Sequence, residues 1–233
     1  MTDKIFLFLI AILPTLALLL FFVYSDKFKE PKKTVLSTFI LGIFIIAPLE
    51  VFHYGTQMIL GEPIEYNAFF MAFYQAAFLE ELFKFCVLFF FCTKFTDFNE
   101  PMDGIVYGVT ASLGFAFYEN LNYIYIYSEG DLIDNLSLAW IRAFTAVPSH
   151  AFDGVIMGFF IGRHYFRNYK SNINLVLALL IPVILHGSYN FLAGTNFLYL
   201  IVAIELGLVI YFYRNLKAQQ ILKKKEEEIN TRR

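Results

Sequence analysis

"FYQAAFLEELFKFCVLFFF", Phe73 to Phe91, is apolar at most positions, yet it places Glu80, Glu81 and Lys84 near its middle. A run of this length and hydrophobicity reads as a membrane-spanning helix. A charged side chain at the bilayer centre costs about 2.5–3.5 kcal/mol even on a lenient insertion scale. Three ionisable groups in such a run are therefore expected to face protein or water and not lipid. Their reading decides both the fold class and the place to look for chemistry.

The rest of the chain has the same character. Of its 233 residues, 58% are hydrophobic, 19% aromatic and only 16% charged, which puts it in the membrane class. Apolar runs lie at roughly 5–24, 35–58, 67–93, 104–126, 142–163, 173–193 and 196–214. The expectation is an all-α polytopic membrane protein with about seven transmembrane helices. It forms a single transmembrane domain over 1–216, followed by a charged tail at 217–233. The first run is too long, and wrongly flanked by charge, for a cleavable signal. Cys86 and Cys92 have no metal-type or disulfide-type spacing and read as small apolar fillers.

Lysine and arginine set the orientation. "SDKFKEPKK" (Ser25–Lys33), the loop with Arg163, Arg167 and Lys170, and the tail from Arg214 are basic, whereas the alternate loops are not. This predicts the N-terminus outside and the C-terminus in the cytoplasm. "DLIDNLSLAW" reads as an amphipathic helix on the outer interface, and Tyr123, Tyr125 and Tyr127 as an aromatic belt. The tail "LKKKEEEINTRR" reads as a solvated, partly helical end.

At about 1.5 Å per residue, Glu119, His150 and His186 fall at similar depths between the midplane and the outer surface. Glu80 and Glu81 lie nearer the midplane. Random scatter would not be expected to select one depth, so these residues are expected to share a wet cavity. Adjacent residues on a helix point about 100° apart, so one of Glu80 and Glu81 can face the cavity while the other ties a neighbouring helix. Lys84 is four residues from Glu80 and three from Glu81, on one face with them; the bland alternative is a pair that only fixes register.

His150, Gly154, Gly158 and Gly162 form a stripe at four-residue spacing, which lets another helix approach closely. His186 and Asn190 share a face and could offer hydrogen bonds to an oxyanion. Glu50 and His53 either line the cavity or meet the interface. Asp153 and Glu205 are most simply helix-to-helix ties, and His164 is expected to face solvent.

These residues also form motifs. "EELFK" (Glu80–Lys84) is an EExxK signature, "FAFYEN" gives Phe115 and Glu119 in FxxxE spacing, "SHAFDGVIMG" supplies His150, and "HGSYN" is HxxxN (His186, Asn190). In this order they resemble the PrsW family of intramembrane proteases and are distantly similar to the CAAX-prenyl protease and Abi superfamily. The resemblance covers about 70–193. It implies cleavage of a membrane-anchored anti-sigma-factor-like protein on its extracytoplasmic side. It also implies Glu80 as the base that activates water, Glu81 as its supporting partner, and His186 and Asn190 as oxyanion stabilisers. Glu119 stands where the wider superfamily has histidine, and Lys84 where relatives place a basic residue one position later.

The expected activity is thus that of an intramembrane peptidase in the cell membrane. Its partners are a single-pass membrane protein substrate and the lipid bilayer, with no nucleic acid. Metal-free glutamate chemistry is expected over a zinc ion; were zinc present, Glu80, Glu119, His150 and His186 would be its ligands. The rival class is a proton or ion transporter that uses the same groups as a relay.

Overall fold

The computed structural model describes residues 2–61, 67–126, 132–166 and 171–231, with side chains described only for 5–225 within those ranges. Tyr127 of the expected aromatic belt, Arg167 and Lys170 of the basic loop, and the tail's side chains beyond Lys225 lie outside them. The described residues contain helices and no strand. In chain order they are α1 (Thr2–Ser25), α2 (Lys32–Phe44) and α3 (Ile46–Leu60), then a helical turn Ala68–Phe70 leading into a π-helix, Met71–Phe78. There follow α4 (Leu79–Phe90), α5 (Pro101–Tyr125), α6 (Leu132–Phe144), α7 (Ala146–Phe166), α8 (Asn172–Phe191) and α9 (Phe197–Thr231).

Local sequence explains the boundaries that matter for the site. Asn67 caps its helical turn by accepting from the Phe70 N–H at 3.0 Å. α5 begins with Pro101 at its first position and a reciprocal capping box between Glu100 and Asp103. α3 stops at Gly61, whose φ of 70° suits glycine.

α5 is the hub. It is buried along most of its length, chiefly against α7, with α2 and α1 on its other sides. The predicted glycine stripe makes this possible: a Cβ on Gly154 would lie 2.7 Å from the Gly108 carbonyl oxygen, and one on Gly162 would lie 2.5 Å from that of Pro101. The two backbones pack almost directly on each other, as in close membrane-helix pairs. Large apolar side chains such as Leu13, Phe21, Ile59 and Tyr211 point outward, as lipid contact requires.

Among the described residues, five stretches are long and apolar enough to cross a membrane: Ile5–Ser25, Lys32–Leu60, Leu132–Phe166, Asn172–Phe191 and Phe197–Lys225. The expected spans at 67–93 and 104–126 are not among them. The first is divided into short pieces by the π-helix. The second, α5, is rich in small and polar residues and is wrapped by other helices, so it does not need a lipid-facing apolar surface. The "DLIDNLSLAW" segment is helical from Leu132, its first described residue, but it does not lie free: Leu136, Ala139 and Ala143 pack against Leu7, Ile10 and Ala11 of α1. That contact puts the N-terminal end of α1 beside the C-terminal end of α5. At the opposite end, the start of α5 meets the 26–31 loop and Gln220 of α9.

Candidate active site

The two glutamates of "EELFK" divide as helical geometry requires. Glu80 borders a cavity of about 430 Å³, whereas Glu81 is fully buried and points into protein. Glu119, His150, His186 and Asn190 line the same cavity, with Arg142, Ser149 and Tyr189. A second lobe of about 230 Å³ reaches Glu50, His53 and Gln75 and shares Glu80 and Glu119 with the first. The predicted residues therefore meet at one centre, contributed by α4, α5, α7 and α8. The π-helix precedes α4 and lines both lobes through Met71 and Ala76. Such wide turns recur beside functional sites because they displace side chains from regular helical register.

Lys84 is the internal countercharge. Its ammonium, with no exposure, donates to Glu81 Oε1 at 2.7 Å and to His150 Nδ1 at 3.1 Å, and lies 3.7 Å from Glu80 Oε2. It also sits 4.5 Å from the Phe115 ring centre, a favourable cation–π distance. Because the Lys84 ammonium can only donate, His150 Nδ1 must accept, so the other ring nitrogen carries the proton. His150 Nε2–H accordingly donates to Glu119 Oε2 at 2.9 Å. On the other side, His186 Nδ1–H donates to Glu81 Oε1 at 2.8 Å. That leaves the His186 Nε2 lone pair facing Glu80 Oε2 at 3.7 Å. The rings of His150 and His186 meet edge to face, with centres 5.1 Å apart.

Arg142 completes the charge pattern and was not among the residues expected from sequence. Its NH2 group donates to Glu119 Oε2 at 2.7 Å, its Nε donates to Asn120 Oδ1 at 2.8 Å, and its guanidinium lies 3.8 Å from the Tyr123 ring centre. Asn120 in turn donates to the Ala11 carbonyl at 3.0 Å, so α1, α5 and α6 all fix the arginine. The signal was present: Arg142 is an ionisable residue in an apolar run, the same cost argument that singled out Glu80. Tyr123, expected in the aromatic belt, is also the face on which Arg142 rests.

Asp153 and Glu205 also lie close by. Asp153 is fully buried, 4.0 Å from His186 Nδ1, and neither of its carboxylate oxygens has a hydrogen-bond partner. Glu205 accepts from Ser149 Oγ at 3.0 Å. That bond ties α7 to α9 and directs the serine hydroxyl at an acid and not at a histidine base. Asn190 lines the cavity and Tyr189 OH bonds Thr145 Oγ1 at 2.8 Å. His53 contacts the Gln75 carbonyl at 2.8 Å, and His164 the Ser171 carbonyl at 3.2 Å, so the latter is part-buried and not simply in solvent. Cys92 packs against Thr38 (3.5 Å), and both cysteines are free.

Glu80, Glu81, His150 and His186 each offer a donor atom within 4.8 Å of the others. Glu80 Oε2 and Glu81 Oε2 are buried without hydrogen-bond partners, and His186 Nε2 is free by the tautomer argument. One further carboxylate, Glu119, is committed to His150 and Arg142. The donor set of imidazole and carboxylate is one that zinc favours, so these residues fit a metal ion. His150 would join only by exchanging its contact with Lys84.

A family model described as "PrsW family intramembrane metalloprotease" matches residues 30–214. Among curated proteins, the Protease PrsW of Oceanobacillus iheyensis is 38% identical over 183 residues, covering 78% of this chain and 80% of its own. That of Bacillus subtilis is 37% identical over 192 residues (81% and 84%), and that of Clostridioides difficile 30% over 225 residues (91% and 90%). No solved structure matches.

Proposed function

The chain belongs to the PrsW family of intramembrane metalloproteases, and from that premise we propose that it cuts a membrane-anchored, single-pass protein inside the Glu80–His186 cavity. It is a peptidase of the cell membrane; the substrate class, the roles and the orientation are the proposal. The observation that carries it is the convergence of Glu80, Glu119, His150, His186 and Asn190 on one cavity near one end of the bundle. That end also holds the N-terminal end of α1, while the basic 26–33 loop lies at the other. With basic loops kept in the cytoplasm, the cavity opens toward the extracytoplasmic side, where an anti-sigma-factor-like substrate would be cut.

The family's description as metalloproteases favours the zinc alternative over the metal-free expectation. Glu81, His150 and His186 would hold the ion, a carboxylate with two imidazoles. What the ion adds when bound is Lewis-acid polarisation of the scissile carbonyl.

The chain's own groups do the rest. Glu80, facing the cavity, takes a proton from the attacking water as the water oxygen bonds to the carbonyl carbon. The Asn190 amide donates to the oxyanion that develops. The carbon–nitrogen bond then breaks, and the proton held by Glu80 passes to the leaving amine. Glu119, pinned by Arg142, holds His150 in one tautomer and one orientation.

The test is reconstitution in liposomes with tagged single-pass substrates of the anti-sigma type. Wild type is expected to release a fragment and Glu80→Gln to release none. Purified protein is expected to carry stoichiometric zinc, and a chelator should stop cleavage until zinc is restored. Cleavage by Glu80→Gln at the wild-type rate would remove Glu80 as the base. Ion flux dependent on Glu80 and Glu119, with no cleavage of any substrate, would replace the peptidase reading by the relay. Full activity without zinc would return the site to metal-free chemistry.

A further inference from the structure

A second buried group of acids sits at the far end of α5, about 24 Å from Glu119 by helical rise. Asp26 follows α1, Glu100 caps α5 and Asp103 lies in the first turn of α5. Each is at least nine-tenths buried, and their carboxylates offer oxygens within 4.8 Å of one another. Much of the group is already satisfied. Gln220 Nε2 on α9 donates to Asp26 Oδ1 at 2.6 Å and to Glu100 Oε1. The Asn99 and Glu100 amides donate to Asp103 Oδ2 at 2.6 and 2.8 Å. Two oxygens meet no N–H or hydroxyl donor: Asp26 Oδ2 and Asp103 Oδ1 are buried, with the Glu30 carboxyl as the side-chain neighbour of Asp103.

Countercharge is scarce. Glu30, held by Tyr107 OH, adds a fourth buried carboxylate beside the group. Among the described residues, the one ion pair made to it is from Lys223, which is half exposed and 3.5 Å from Glu100 Oε2. Lys217 lies near but has no hydrogen-bond partner of its own. Unpaired buried carboxylate oxygens carry a desolvation cost that a cation, or a proton, must offset.

We propose that Asp26, Glu100 and Asp103 form a divalent-cation site, taking Mg²⁺ or Ca²⁺, that ties the 26–31 loop, the start of α5 and α9 together. All donors are oxygens, with no imidazole or thiolate, which suits a hard cation and not zinc. The free oxygens of Asp26 and Asp103 supply two ligands and Glu100 a third. Gln220 can rotate its amide to present its carbonyl oxygen. The site is independent of the peptidase reading and stands or falls apart from it.

Terbium, a hard-cation probe, reports on it through nearby tyrosine. Tyr107 touches Glu30, and its excitation should sensitise Tb³⁺ held in the cluster. Purified full-length protein and the active-site variant Glu81→Gln should both show saturable emission. Asp26→Asn/Asp103→Asn should weaken the affinity at least roughly tenfold. Tyr107→Phe should dim the emission with the affinity kept. Competition assigns the ion: displacement by millimolar Mg²⁺ makes it a magnesium site, and displacement by Ca²⁺ alone makes it a calcium site. Should the double variant fail to accumulate, Glu100→Gln carries the same comparison. Unchanged Tb³⁺ affinity in the cluster variants, loss of emission only in Glu81→Gln, or displacement by neither ion overturns the proposal.

Discussion

Both ends of α5 gather buried carboxylates, but they are neutralised in different ways. At the Glu119 end, acids meet two imidazoles, a lysine and an arginine around a cavity of about 430 Å³. At the Asp103 end, acids meet an amide, a phenol and backbone N–H groups, and the nearest ion pair is to the rim. Carboxylates in number do not make a catalytic site. Groups that can change protonation or hold a metal, beside space for a substrate, do. The hub helix separates chemistry at one end from cohesion at the other.

The contrast is broken most severely at Glu80. Glu80→Gln and His186→Ala are each expected to lower fragment release by roughly 10²–10⁴-fold, with membrane accumulation unchanged. Quantitative immunoblotting of product and enzyme from the same membranes checks both halves. Loss of the protein itself would place Glu80 with the cohesive acids.

Lys84 serves both sides of the contrast. Removing one partner of a buried ion pair typically costs about 3–5 kcal/mol, whereas removing both can be nearly neutral. Lys84→Met should therefore unfold at markedly lower denaturant, and Glu81→Gln/Lys84→Met should recover most of that stability. The double variant should remain inactive, because His186 has lost the carboxylate that fixes its tautomer. Recovery of cleavage along with stability would reduce the pair to a register device.

This division explains what could be read from sequence. Glu80, Lys84, Glu119, His150 and His186 stood out because each interrupts an apolar helix, and the placement cost applies to a string of letters as well as to coordinates. The α5–α7 packing was legible from the four-residue glycine spacing. The π-helix was not: its wide turns keep ordinary composition, so nothing in "MAFYQAAF" marks them. They divide a run that is helical from Ala68 to Phe90 into shorter pieces. Asp26, Glu30, Glu100 and Asp103 were invisible for the opposite reason. They sit in polar sequence outside the expected spans, where acids are expected in water, and it is tertiary packing that buries them: Gln220 of α9 meets Asp26 and Glu100, and Tyr107 meets Glu30.

Arg142 tests how far the catalytic end extends. It touches Glu119, Asn120 and Tyr123, and no group assigned to the reacting atoms. Arg142→Gln should lower kcat by roughly 10–100-fold, as losing an outer-shell partner does at metal sites, with KM and accumulation little changed. Arg142→Lys should recover only part, since lysine cannot hold Glu119 and Asn120 with one planar fork. Full recovery of kcat in Arg142→Lys would point to charge alone and not to orientation.

The smallest effect belongs to the opposite end. Tyr107 donates its hydroxyl to Glu30 and lies within hydrogen-bond distance of Thr34 Oγ1 at 3.0 Å. Tyr107→Phe keeps the ring, which packs against Phe95 and Phe98, and deletes only those polar contacts. A hydrogen bond of this kind contributes about 1 kcal/mol net, so the denaturation midpoint should fall slightly. Cleavage per folded molecule should stay at the wild-type level, because the altered hydroxyl lies about 18 Å along α5 from Glu119. A drop in kcat here comparable to that of Arg142→Gln would mean that the two ends are coupled through the helix, and that the division drawn between them is wrong.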